Sequence, residues 1–187
     1  MYKRQLQKTG SEYLTDVWPN MEVFFHGGIS FEPYRDQYKA LIPSDRMHYM
    51  ETYNASEGFF GLQDNPEEHS LLLMIDYSVF YEFIPINEVG EEHPTVLPLE
   101  AVEVGKNYAM VITTSGGLWR YQIGDTVRFT SLYPHKFVIS GRTKNFINAF
   151  GEELMVDNAD KAISRVCRQT GAKVKEYTAA PLFMLCL

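Results

Sequence analysis

Between residues 70 and 140 the chain is divided into short pieces that suit β-strands and little else. The segments 70–75, 79–84, 101–104, 107–113, 118–122, 126–130 and 136–140 are rich in β-branched and aromatic residues. Asn87-Glu88, Gly105-Lys106, Gly116-Gly117 and Gly124-Asp125 stand between them as turns. Spacing of this kind predicts antiparallel sheet, curled toward a small barrel.

The flanks have a different texture. Met21–Phe25 reads as a buried strand that runs into Gly27-Gly28. A helix is predicted over Glu32–Ile42, with Tyr34, Tyr38, Leu41 and Ile42 on one face and Pro43 closing it. Met47–Thr52 reads as a second strand, ending at a loop around Tyr53–Gly58. Past the sheet, Phe146–Ile147 and Leu154–Val156 suggest a hairpin around Gly151. A helix follows from about Asn158 to Gln169, with Ala159, Ala162, Ile163, Val166 and Cys167 on one face and Gly171 as its stop. Val174–Leu185 reads as one more strand, and its apolar end PLFMLCL leads us to expect that the chain stops inside a domain. The fold class is therefore mixed α/β.

Charge narrows the partners. The formal net charge of −7 argues against a duplex nucleic-acid surface or an anionic membrane. A local phosphate site stays open, because a few backbone N–H groups and one cation suffice for it. Two cysteines, Cys167 and Cys186, lie far apart in no metal-ligand spacing and suggest a reducing compartment. No apolar run follows the basic N-terminus as a signal peptide requires, and LLLMI at 71–75 is far too short to span a bilayer. The expectation is a cytoplasmic protein. His26, His48, His69, His93 and His135 show no zinc spacing, and neither a Gly-x-Ser-x-Gly elbow nor a phosphate-binding GxxxxGK[ST] loop occurs.

Four loops hold residues with chemical potential. Gly27 and Gly28 allow a backbone to approach a flat ligand, ahead of a helix with free N–H groups. In TYNASEGFFG at 52–61, Tyr53 can stack on a base, Ser56 can reach a phosphate and Glu57 can hold a hard cation such as Mg²⁺. In GLWRYQIGDTVRF at 117–129, a Gly124-Asp125 turn puts one carboxylate at a strand end, where it can accept from both hydroxyls of a ribose. Arg142 and Lys144 can meet an anionic ligand lying between two lobes. Singly, each loop also fits a structural role: a tight β–α turn, a solvated loop, a hairpin turn, a basic surface turn.

Together and in this order, the four loops resemble the adenylate-forming enzymes, and most closely the auxin-responsive promoter family of acyl-acid amido synthetases, its bacterial members above all. Gly27-Gly28 resembles the adenine-contacting turn. Thr52-Tyr53-Asn54-Ala55-Ser56-Glu57 is similar to the loop that stacks the adenine and supplies a Mg²⁺-linked glutamate. Arg120-Tyr121-Gln122-Ile123-Gly124-Asp125 is similar to a Tyr-Arg-x-Gly-Asp ribose motif, with Gln122 where the pattern often has Arg. Gly141-Arg142-Thr143-Lys144 resembles the hinge before a mobile C-terminal lobe, which would put Arg142 near ribose and phosphate and Lys144 at the pivot.

The resemblance implies a ligase using ATP and Mg²⁺. A carboxylic acid attacks the α-phosphorus to give an acyl-adenylate and pyrophosphate, and an amino acid's amine then displaces AMP. It also implies a division into a partial adenylation core over 1–140 (α/β to about 69, β-rich over 70–140), a hinge at 141–145 and an incomplete C-terminal lobe over 146–187. The family's upstream phosphate loop has no counterpart here, so the isolated chain is expected to be inactive. Two other readings compete: an acyl-coenzyme A ligase, which shares the adenylation loops, and a non-catalytic remnant that at most binds AMP or a partner. If the adenylation reading holds, Asp125 and the 53–57 loop face one cleft, since ribose and adenine lie only ~5–7 Å apart.

Overall fold

A computed structural model describes residues 2–28, 31, 34–143, 147–149, 152–154, 156–174 and 177–178. Two helices open the chain, α1 (Tyr2–Thr9) and α2 (Leu14–Val17). Strand β1 (Val23–His26) then leads through the Gly27-Gly28 turn towards α3 (Arg35–Leu41). The next strands are β2 (His48–Ala55), β3 (Gly58–Gln63), β4 (Leu71–Leu73), β5 (Val79–Pro85) and β6 (Leu97–Pro98). Three longer strands follow, β7 (Asn107–Thr114), β8 (Tyr121–Leu132) and β9 (His135–Arg142). The short hairpin β10 (Ile147–Ala149) and β11 (Glu152–Leu154) precedes α4 (Val156–Thr170).

Nine of these strands form one sheet in the order β1-β2-β3-β4-β9-β8-β7-β5-β6. Among the described residues only β1 pairs in parallel, with β2; the other pairs are antiparallel. The sheet is rolled. Four strands separate β3 from β5 in its order, yet the rings of Phe60 and Tyr81 meet at 6.4 Å. The concave side is filled by the main core, where Tyr53, Phe60, Leu71, Phe83, Tyr108, Met110, Val127, Phe129 and Phe137 pack together. Aromatic residues dominate it, and full burial of a phenylalanine is worth roughly 1.5–3 kcal/mol. Along β7 the alternation sends Tyr108, Met110 and Ile112 into that core and Ala109 and Val111 into a smaller cluster with Ile84 on the convex side. A strand buried on both faces must be apolar throughout, which explains the unbroken run YAMVI. A third cluster, Leu14, Phe31, Ile42, Met47 and Tyr49, sits against β1 and β2.

Several expectations change. The loop expected at Tyr53–Gly58 is strand almost throughout: β2 continues to Ala55, and Ser56-Glu57 is a two-residue turn into β3. Gly124-Asp125 does not separate two strands but lies inside the continuous β8. The segment 101–104 forms no strand; a single 3-10 turn, Leu99–Ala101, runs into its first residue. The sheet order ends at β1 and β6, so among the described residues the roll is not closed by hydrogen bonds into a barrel. Helix α4 forms and stops at Gly171, whose φ of +70° and bond to the Cys167 carbonyl at 2.9 Å make it a left-handed cap. Its expected apolar face is not wholly buried, since Val166 remains exposed while Ser164 is buried. Most of the strand expected over Val174–Leu185 lies outside the described residues.

Candidate functional site

The site begins where β1 ends. Its parallel register places His26 beside Glu51, so the following glycines run past Thr52. A Cβ on Gly27 would lie 2.5 Å from the Thr52 carbonyl oxygen, a distance no side chain tolerates. The Thr52 hydroxyl donates to the His26 carbonyl at 3.3 Å and holds the two strands together there. Gly28 has φ of +85° and open space around it, a left-handed conformation that glycine adopts without strain.

Strand β2 is irregular between Tyr53 and Asn54. That irregularity leaves Asn54 and Ser56 exposed while Tyr53 points into the core with 4% of its surface accessible. Its ring packs on Phe60 at 5.1 Å and on the edge of Phe137 at 6.0 Å. Stacking of this ring on a base, the role expected from the sequence, is therefore not available in this arrangement. The hydroxyl is what reaches the site: Tyr53 Oη donates to Asp125 Oδ2 at 2.7 Å. Burial, then the negative charge of Asp125 and that hydrogen bond, push the phenol well above its ordinary value, and Glu57 adds a smaller push in the same direction. Tyr53 thus keeps its proton and acts as a donor.

Asp125 owes its position to a bulge. Gln122 stands opposite Val111 and Thr126 opposite Ala109, so residues 123–125 are set against Met110 alone. Such a bulge bends the strand and re-aims its side chains. Gly124 makes it possible with φ of +87°, and a Cβ there would also press on Arg142 Nη2 at 3.4 Å. Thr143 closes the bulge, its N–H and hydroxyl both donating to the Gly124 carbonyl, at 2.9 and 3.3 Å. Below it, the buried hydroxyls of Ser140 and Thr126 bond at 3.1 Å. Asp125 faces Arg142 across β8 and β9, with Nε 3.2 Å from Oδ1, and Arg142 Nη2 also reaches the Ile123 carbonyl at 3.5 Å.

Three of the four predicted loops thus converge. Residues 53 and 125, 72 positions apart, are in direct contact, and Arg142 completes the group. The Gly27-Gly28 turn joins them through Thr52, at the neighbouring position of β2. Tyr121 lies before the bulge, opposite Ile112 and 40% exposed. Ala55 ends β2 and Glu57 lies in the adjoining turn, half-buried. Lys144 lies outside the described residues. The sequence reading missed Thr143, because its partner is identified only by the register of β8 against β9. Among the described residues no group of three or more His, Cys, Asp or Glu gathers as a metal cage. Mg²⁺ seldom needs one, being held through one or two carboxylates together with substrate phosphates, and a single Glu57 beside the site fits that pattern. The assembled chemistry, a fixed carboxylate with spare acceptor capacity beside an exposed guanidinium, suits a ligand that carries a vicinal diol next to an anion.

Comparison with known proteins gives a consistent picture. A model described as the GH3 family N-terminal domain matches residues 3–47, and one described as the GH3 family central domain matches residues 72–142. Indole-3-acetic acid-amido synthetase GH3.4 of Arabidopsis thaliana is 32% identical over 193 residues, an alignment that takes in 92% of this chain and 31% of the relative. A GH3 domain-containing protein of Homo sapiens is 32% identical over 130 residues, covering 67% of this chain and 24% of its own length. The chain therefore spans about a third, or less, of these relatives. Among solved structures, AtGH3.15 acyl acid amido synthetase in complex with 2,4-DB superposes with a TM-score of 0.65 at 19% identity, over 95% of this chain and 37% of that one. A second structure, GH3.15 acyl acid amido synthetase, gives 0.60 at 24% identity, over 81% and 27%. At those identities the superpositions establish the fold.

Proposed function

The chain belongs to the GH3 family, and from that premise we propose that residues 27–142 form the nucleotide side of an ATP-dependent acyl-acid amido synthetase. The observation that carries the reading is the meeting of Tyr53, Asp125 and Arg142, three separate sequence motifs joined at 2.7 and 3.2 Å. Asp125 accepts the ribose hydroxyls. Arg142 lies beside ribose and phosphate, and Lys144 marks the pivot of the following lobe. The Gly27-Gly28 turn and the Thr52–Ser56 backbone border the adenine, with Tyr121 flanking the ribose. Glu57 would hold Mg²⁺, which when bound would offset the charge of the phosphates.

The reaction is proposed for the natural gene product as a whole, because this chain spans only 31% of its amido synthetase relative. A substrate carboxylate oxygen attacks the α-phosphorus of ATP and pyrophosphate leaves, giving the acyl-adenylate. The amine of an amino acid then attacks the acyl carbon and AMP leaves, forming the amide. The protein's share in both steps is alignment and fixed dipoles, and alignment alone is worth ~7–11 kcal/mol in well-oriented reactions. The membrane plays no part in this reading, and among the described residues no helix is long and apolar enough to cross one. We place the protein in the cytoplasm, where ATP and amino acids are at hand.

The test is acid-dependent exchange of labelled pyrophosphate into ATP by the natural gene product, followed by mass analysis of products formed with amino acids or with coenzyme A. Exchange followed by amide products is expected, with Asp125→Asn raising the KM for ATP. Thioester products would replace the amide-forming reading with acyl-coenzyme A ligation, and absence of exchange with any of a broad panel of acids would remove adenylation altogether.

A further inference from the structure

Both oxygens of the Asp125 carboxylate are engaged, but by donors of unequal rigidity. Arg142, on Oδ1, is a long side chain that is 60% exposed. Tyr53, on Oδ2, is 4% exposed and fixed between Phe60 and Phe137. The carboxylate's own terminal torsion is intrinsically broad, so a carboxylate on a bulge has no preferred plane unless a neighbour imposes one. An ionised carboxylate offers about four acceptor positions. One donor on each oxygen leaves one further position on each, as the two hydroxyls of a vicinal diol require. The phenol therefore orients the acceptors without occupying them all.

We propose that Tyr53 is a positioning residue that acts through its hydroxyl: it sets the plane of the Asp125 carboxylate and thereby the discrimination of ribose from 2′-deoxyribose in the bound nucleotide. The inference rests on the nucleotide reading of this site and adds one role to it: the tyrosine hydroxyl serves the sugar through Asp125. A ring that only filled the core would affect stability and nothing else.

The experiment compares the natural gene product with Tyr53→Phe, Asp125→Asn and the double variant in pyrophosphate exchange, using ATP and 2′-deoxy-ATP. Thermal midpoints are recorded alongside. Phe keeps the ring and its packing. We expect Tyr53→Phe to raise the KM for ATP about tenfold with kcat little changed, the size of one hydrogen bond to a charged group. Its preference for ATP over 2′-deoxy-ATP should shrink, and adding it to Asp125→Asn should cost little more, because the two act as one unit. A Tyr53→Phe enzyme with lowered thermal midpoint but native KM and native sugar preference overturns the proposal while leaving the nucleotide reading intact. So do losses that simply multiply in the double variant. An Asp125→Asn enzyme with unchanged KM overturns both.

Discussion

Gly27 and Gly28 are neighbours in the chain, and each is glycine for a reason of its own. At Gly27 the constraint is space, a Cβ falling 2.5 Å from a backbone oxygen of β2. At Gly28 it is conformation, φ of +85° with nothing nearby to clash. Gly28→Ala should therefore cost ~1–2 kcal/mol, the ordinary penalty of a left-handed residue. Gly27→Ala should cost ~1–3 kcal/mol and also part β1 from β2, since backbone must move. Urea unfolding checks the energies, and amide exchange at His26 and Thr52 checks the displacement; unchanged protection there would contradict the steric account. Glu57 poses a chemical question. Glu57→Gln should lower the exchange rate by about 10²–10³-fold, as loss of one preorganised electrostatic contact does, at unchanged circular dichroism. Native rates in that variant would make Glu57 an ordinary turn residue.

Elements are joined by polar clasps as well as by the core. Lys136 on β9 reaches Asp64 at 2.9 Å and Glu68 at 2.8 Å, tying the β3–β4 connection across the sheet. The hydrogen bond from Lys136 is the largest influence holding the Glu68 carboxyl below its ordinary 4.5, and Glu68 and Asp64 raise the lysine above its ordinary 10.5. The signs follow from linkage. The lowered glutamate contributes stability above its ordinary value and loses it as pH falls through the folded value. The raised lysine contributes below its ordinary value and loses it as pH rises through the folded one. Wild type should thus exceed Lys136→Met most between the ordinary values of 4.5 and 10.5, with the gap narrowing on both sides. Chemical unfolding across pH measures it, and a gap constant with pH would mean that Lys136 acts through its methylenes alone.

Across the whole molecule, stability should be graded. β7 is buried on both faces, whereas α3 has no buried residue. Local opening follows contact density, so amide exchange should be slowest in β7 and its partner β8 and markedly faster in α1 and α3. Equal protection in α3 and β7 would indicate a single cooperative unit instead. The strands over 79–84, 107–113 and 136–140, the helix ended by Gly171 and the motifs of the candidate site were all readable in the sequence, because alternation, turn residues and caps are local properties. Register is not local. The bulge that places residues 123–125 against Met110 alone looks, in sequence, like a hairpin turn at Gly124-Asp125. Likewise Tyr53 in TYNASEG reads as an exposed ring in a loop, until the rolled sheet brings Phe60 and Phe137 around it. The sequence by itself determined most of the strands and the motifs that meet at the candidate site. Tertiary structure decided that Tyr53 offers its hydroxyl and not its face, because closing a curved sheet over an aromatic core takes up the ring and leaves only its polar tip at the edge.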